Sequence, residues 1–259
     1  MIAVGRGTNA DLDAAGAAQI ITGIDVTDTA SVEKMAAAID GEVDMVINNA
    51  GYFYEPREEL DSLNFGEELK ARTPMHAAWR CVHSDGQPRV TDDRHLRARP
   101  ATRHIGAAQR GQAETRFEGD ARRDFPCRMI LWRKVSPVRA RSSPAQAVII
   151  TSQAGSAEWR FTQNADAGGD YGHHMSRAAC NIMGVLLSQE LKAAGVTVVL
   201  LHPGFNRTEM TAKYKEIWDI EGAVEPSIGA KRVLHEALGA TLEKTGAFVN
   251  CEDGLRIPW

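Results

Sequence analysis

No stretch of this 259-residue chain approaches the roughly 18 consecutive apolar residues that a membrane span needs, so no membrane partner is expected. The start, MIAVGRGTNADLD, has neither the long apolar core nor the small-residue cleavage site of a secretory signal, and a cytoplasmic protein is the expectation. The four cysteines, Cys81, Cys127, Cys180 and Cys251, lie far apart with no CxxC pair. That spacing argues against a zinc knuckle or a disulfide framework, so reduced thiols and no metal site are expected. Aromatic residues are few, 6% of the chain, and no RNA- or DNA-binding motif accompanies the arginines, so no nucleic-acid partner is expected.

What remains is an ordinary globular composition, 43% hydrophobic and 25% charged, enough to bury a full core in a single domain over residues 1–259. The net charge of −4 hides an asymmetry: residues 71–145 hold 15 Arg and 1 Lys against 7 acids, leaving 14 bases against 27 acids elsewhere. The same segment carries clusters such as Asp92-Asp93-Arg94-His95-Leu96-Arg97 and sustains no period of 2 or 3.6. It is expected to be irregular or disordered. A disordered insertion would read this way. So would a shifted reading frame replacing a strand and a helix, which the abrupt stop and restart of ordered pattern and the near-replacement of Lys by Arg favour.

On either side of that segment, strands alternate with helices. Ile2-Ala3-Val4, Gln19 to Ile24 and Met45-Val46-Ile47 read as short buried strands. Between the last two, Asp28 is placed to cap a helix over Thr29 to Ile39, with Val32, Met35, Ala36 and Ile39 on one face. After residue 146 the pattern predicts a strand Ala147 to Thr151, a helix Tyr171 to Ala194, a strand Val196 to Leu201, a helix Ser227 to Lys244 and a strand Ala247 to Asn250. This order predicts an α/β fold built on a doubly wound parallel sheet.

Four motifs sit at strand ends in that order: Asp25-Val26-Thr27-Asp28, Asn48-Asn49-Ala50-Gly51, Thr151-Ser152-Gln153-Ala154-Gly155-Ser156 and Pro203-Gly204-Phe205-Asn206-Arg207-Thr208. Small residues there let backbone approach a ligand closely. Together they resemble the short-chain dehydrogenase/reductase family over residues 1–70 and 146–259, and the ending Glu252 to Trp259 resembles its C-factor-like branch. The resemblance implies a Rossmann-like sheet and an NAD(P)-dependent oxidoreductase acting on a small carbonyl or alcohol. It also implies a homodimer formed through the long helices. Asp25 and Val26 would then contact adenine, Asn49, Ala50 and Gly51 would lie against the cofactor, and Pro203, Gly204 and Thr208 would hold its nicotinamide end. Arg6, just beyond the first strand, suits a ribose 2′-phosphate and favours NADP over NAD.

The chain departs from the family pattern in three places. No glycine-rich turn precedes Arg6 to cradle a pyrophosphate, so the chain is expected to begin one strand-helix unit late and to lack the central strand of the sheet. Where the family places Tyr and Lys four apart on one helix face, this chain has His173 and Arg177. The family Asn of the proton relay would fall within 71–145, where no residue can be assigned to it. Ser152 is the retained carbonyl-orienting serine, His173 a proton donor because imidazole titrates near neutrality, and Arg177 a ribose-binding cation that is not equivalent to lysine. Residues 210–225, with Tyr214, Ile217 and Trp218, are the candidate lid. The departures equally fit a non-catalytic relative, truncated or frame-altered, with a structural or interaction role.

Overall fold

In the computed structural model residues 1–26, 28–39, 43–51, 145–163, 165 and 168–259 are described. All but the last residue of the arginine-rich segment 71–145 lies outside them, as do Cys81 and Cys127. Strands β1 (Ile2–Val4), β2 (Gln19–Ile21), β3 (Met45–Asn48), β4 (Gln146–Ile150), β5 (Thr197–His202) and β6 (Ala247–Asn250) pair in parallel throughout. Helices α1 (Ala10–Ala14), α2 (Thr29–Ala37), α3 (Tyr171–Lys192) and α4 (Pro226–Leu238) alternate with them. This is the α/β parallel-sheet fold that the pattern predicts.

The apolar runs of β4 and β5 are continuous because both faces of the sheet are covered. Ala147, Ile149 and Val198 pack with Cys180 and Leu187 of α3 on one face. Val148, Val199 and Leu201 pack with Val233 and Ala237 of α4 on the other. Leu200 and Phe248, 0% and 1% exposed, pack with Ile257 near the C-terminus; each such side chain contributes roughly 2 kcal/mol by burial. Under the β2 end, Val32, Met35 and Ile39 form a further cluster with Ile24, and Asp28 caps α2 by accepting from Ala30 N and Ser31 N. Helix α1 was not anticipated; it is five residues long with nothing buried, and its one signal is Asn9, whose side chain accepts from Leu12 N.

Hydrogen bonding divides the strands into two sheets, β1–β2 and β3–β4–β5–β6. Among the described residues no strand joins β1 to β3. The pairing shows which backbone groups border the break. Met1 O accepts from Ala18 N and Gly5 N donates to Ile21 O, so the intervening Ile2 and Val4 turn theirs away from β2. Asp44 O accepts from Gln146 N, so Met45 and Ile47 turn theirs away from β4. Ile2, Val4 and Ile47 are exposed. Among the described residues no helix is long and apolar enough to cross a membrane, and no group of three or more His, Cys, Asp or Glu could hold a metal ion.

Candidate active site

Parallel strands bring their carboxyl ends to one edge of the four-stranded sheet, and the loops leaving β3, β4 and β5 carry Asn49-Ala50-Gly51, Thr151-Ser152 and Pro203-Gly204 there. Helix α3 runs against these loops. A Cβ on Gly51 would lie 2.9 Å from Arg177 Nη2, and one on Gly155 would lie 2.6 Å from the Arg177 carbonyl carbon and 2.6 Å from Asn181 Nδ2. Both glycines are therefore where they are because helix and loops touch. Buried Thr151 donates its hydroxyl to Asn181 Oδ1 at 2.7 Å, pinning the end of β4 to α3. Asn181 escaped the sequence reading; its signal is a polar residue four positions after Arg177, on the same helix face.

Ser152 caps the short 3-10 turn Gln153–Gly155, its oxygen accepting from Ala154 N at 3.1 Å. A hydroxyl used as an acceptor in this way still has its O–H to give. His173 meets a different environment from the one its residue type suggests. Burial first, then the Arg177 guanidinium, His174 and Lys213, outweigh the opposing carboxylate of Asp170 and lower its pKa to about 3. The ring is neutral at physiological pH, so titration near neutrality, expected from imidazole itself, does not survive the fold.

The Pro203–Thr208 loop is braced internally. Gly204 has φ +80°, and a Cβ there would lie 2.6 Å from Glu252 Cγ. Asn206 Nδ2 donates to Pro203 O and Gly204 O at 3.2 and 3.0 Å. Thr208 opens the 3-10 segment Glu209–Ile217, its N–H donating to Thr211 Oγ1, and Trp218 Nε1 donates back to Thr211 O at 3.2 Å. Arg207 pairs with Asp219 at 2.5 Å. The candidate lid thus starts as a folded segment, tied to the loop that precedes it.

No family model matches the chain. Over 115 residues it is 30% identical to the 1-hydroxy-2-glutathionyl-2-methyl-3-butene dehydrogenase of Rhodococcus sp. (strain AD45), covering 44% of this chain and 47% of that protein. Over 110 residues it is 33% identical to C-signal of Myxococcus xanthus, covering 42% and 58%. The chain thus spans about half the length of the curated relatives it matches. Among solved structures it is similar to an NADPH-bound carbonyl reductase from chicken fatty liver, with TM-score 0.61 and 18% identity, covering 100% of this chain and 87% of that one. It is similar also to the 3-oxoacyl-[acyl-carrier protein] reductase of Brucella melitensis in complex with NAD, with TM-score 0.62 and 16% identity over 96% and 84%. A short-chain dehydrogenase/reductase of Burkholderia multivorans with bound NADP gives TM-score 0.58 and 15% identity over 100% and 87%. The chain thus resembles these proteins in sequence over about half their length, and it shares the fold of the solved dehydrogenases and reductases.

The fold gathers Gly51, the Ser152 turn and Arg177 into one cluster, with His173 one helical turn before Arg177. Pro203, Gly204 and Thr208 lie on the neighbouring loop. Arg6, Asp25 and Val26 lie on loops leaving the smaller β1–β2 sheet, all three exposed; Asp25 N donates to Ser31 Oγ at 2.9 Å and so helps to start α2. Asn49 and Ala50 are exposed beside Gly51.

Proposed function

We propose that this chain is a nicotinamide-dependent oxidoreductase that interconverts a small carbonyl compound and its alcohol, with NADP preferred over NAD through Arg6. The observation that carries the reading is the contact of Arg177 with both Gly51 and the Ser152 turn beside a desolvated, neutral His173. The nicotinamide end of a dinucleotide fits these residues: a fixed guanidinium suits ribose hydroxyls, and the small residues of 49–51 and 203–204 admit a flat ring. Asp25 and Val26 would take the adenine. The pyrophosphate finds no glycine-rich turn leading into a long helix among the described residues, so the reading rests on the nicotinamide end. When bound, the nicotinamide ring supplies or accepts the hydride.

Ser152 orients the carbonyl by donating its O–H to the oxygen. His173 donates an N–H hydrogen bond from a neutral imidazole, polarising the same carbonyl and stabilising negative charge as it develops on the oxygen; the resulting alkoxide takes its proton from water, leaving hydroxide to be neutralised by the solvent. Burial first, and the Arg177 charge next, keep the ring uncharged, and the Arg177 fork is left for the ribose.

Fluorescence titration of the mass-verified protein with NADPH and NADH tests the first requirement, with saturation in the micromolar range expected and NADPH tighter. A folded chain that binds neither overturns the proposal in favour of a non-catalytic relative with a structural or interaction role. Where turnover of a carbonyl panel is found, His173→Ala should abolish it, and the wild-type rate should show no ionisation near pH 6.5. An acid or base limb at that pH would mean that His173 works as an imidazolium instead.

A further inference from the structure

We propose that Asp170 is a positioning residue that latches the segment 209–217 onto the His173 end of the site, holding Lys213 and Tyr214 with the two oxygens of one carboxylate. The inference deepens the proposed carbonyl chemistry and rests on that reading of the site.

Asp170 immediately precedes α3, at its N-cap position. An aspartate there ordinarily turns its carboxylate onto the first amides of its own helix, yet Asp170 makes no such bond. Its Oδ1 instead takes Lys213 Nζ at 3.3 Å and its Oδ2 the Tyr214 hydroxyl at 2.5 Å. Both partners belong to the segment that follows the Pro203–Thr208 loop. The Asp170 and Lys213 side chains are 14% and 13% exposed, so water screens this pair far less than a surface ion pair.

The backbone points the same way. Asp170 has φ +48° and ψ +39°, the left-handed region, and is the one non-glycine residue there among those described. Aspartate tolerates that region at a cost of order 1 kcal/mol, and strain of this kind persists where the surroundings hold it in place. On the other side of the contact, the 3-10 run Glu209–Ile217 departs from helical geometry at Tyr214 (φ −114°, ψ 23°), the residue whose hydroxyl the carboxylate holds. The irregular point of each element is the point where the two meet.

The latch is also coupled to the site. The Asp170 carbonyl accepts from His174 N and from the His174 ring Nδ1, the latter at 2.8 Å. The charges of Asp170 and Lys213 both act on His173. Latched, segment 209–217 covers the His173 side of the mouth and excludes water from it; released, it opens the mouth to substrate.

Asp170→Asn keeps the size and the tolerance of left-handed backbone and removes the charge. Trypsin cleaves after Lys213 and Lys215, so the rates at those two bonds, followed by mass spectrometry, read the released population. Release should speed cleavage there by about fivefold or more, with cleavage after Lys231 and Arg232 in α4 and the urea midpoint unchanged. Tyr214→Phe should give a smaller increase, and the double variant little beyond Asp170→Asn. Rates within about twofold of wild type at Lys213 and Lys215, or an equal increase at every site, would overturn the latch. If Asp170→Asn fails to fold, an unchanged cleavage pattern in Tyr214→Phe does so by itself. With a carbonyl substrate that the wild type turns over, Asp170→Asn should raise KM several-fold with a smaller change in kcat, a split that simple loss of folded protein does not give. A wild type without dinucleotide binding sinks the catalytic reading, while the protease result still decides the latch.

Discussion

Replacing Gly155 with alanine inserts a methyl group where helix and loop already touch. The added Cβ would lie 2.6 Å from the Arg177 carbonyl carbon, 2.6 Å from Asn181 Nδ2 and 2.8 Å from Ala178 N. Nonbonded carbons settle near ~3.5 Å or beyond, so the overlap approaches ~1 Å, and two of the three atoms are helix backbone that cannot rotate aside. The turn carrying Ser152 has to move off α3, stretching the 2.7 Å Thr151–Asn181 hydrogen bond as it goes. Overpacking of this kind costs about 1–3 kcal/mol, which for a urea slope of roughly 2 kcal/mol per molar lowers the midpoint by about 0.5–1.5 M. Gly7→Ala is the control: a Cβ there meets nothing within 4 Å, no left-handed φ is required, and stability should stay within about 0.5 kcal/mol of wild type. Urea unfolding followed by circular dichroism compares the three proteins. A Gly155→Ala midpoint equal to wild type would refute the packing of the Ser152 turn on α3, and with it the geometry on which the site is built.

Acid should destabilise the fold through His202, which burial holds at a pKa of about 4 against an ordinary 6.5, with Asp253 opposing. The unfolded chain takes up this proton first as pH falls, so stability present above about pH 6.5 is lost on the way to pH 4, by about 3 kcal/mol in all. His202→Gln should flatten urea midpoints measured across that range; an unchanged slope refutes the burial. Cys251 has its thiol pushed up to about 12 by burial first and by Glu236 and Glu252 next. Iodoacetamide at pH 8 should therefore modify Cys251 only after unfolding, and peptide mapping that finds equal labelling in native and denatured protein would count against it.

Strand and helix identity were legible wherever both faces of an element are apolar or one face is strictly periodic. The runs of β4 and β5 and the Val32, Met35, Ile39 stripe of α2 fall in this group, with ends displaced by one or two residues. The helix expected to reach Lys244 stops at Leu238, because Gly239 caps it and Leu242–Lys244 forms a separate 3-10 turn; a glycine inside a helix costs about 1 kcal/mol, and the periodic Leu242 hid that break. In the candidate site, the glycine and serine motifs fall on loops at strand ends, a placement their local turn chemistry makes legible. The Thr151–Asn181 bond and the Asp170 contacts with Lys213 and Tyr214 join residues 30, 43 and 44 positions apart, and no local pattern records such a meeting. The same holds for His173: its charge state depends on burial and on neighbours gathered by the fold, whereas its residue type suggests only the ordinary value.

The division of the strands into two sheets bears on how the folded chain behaves among copies of itself. Along the break, Ile2 and Val4 on one side and Met45 and Ile47 on the other turn amides and carbonyls away from their paired neighbours, and exposed β-branched side chains flank them. Natural sheets guard such edges with lysine, proline or a bulge; β1 and β3, reading IAV and MVIN, contain neither residue. Uncharged and apolar, these borders suit strand addition. Among the described residues these edges are where a lysine substitution is expected to act most on self-association, and light scattering of Val4→Lys against wild type checks it.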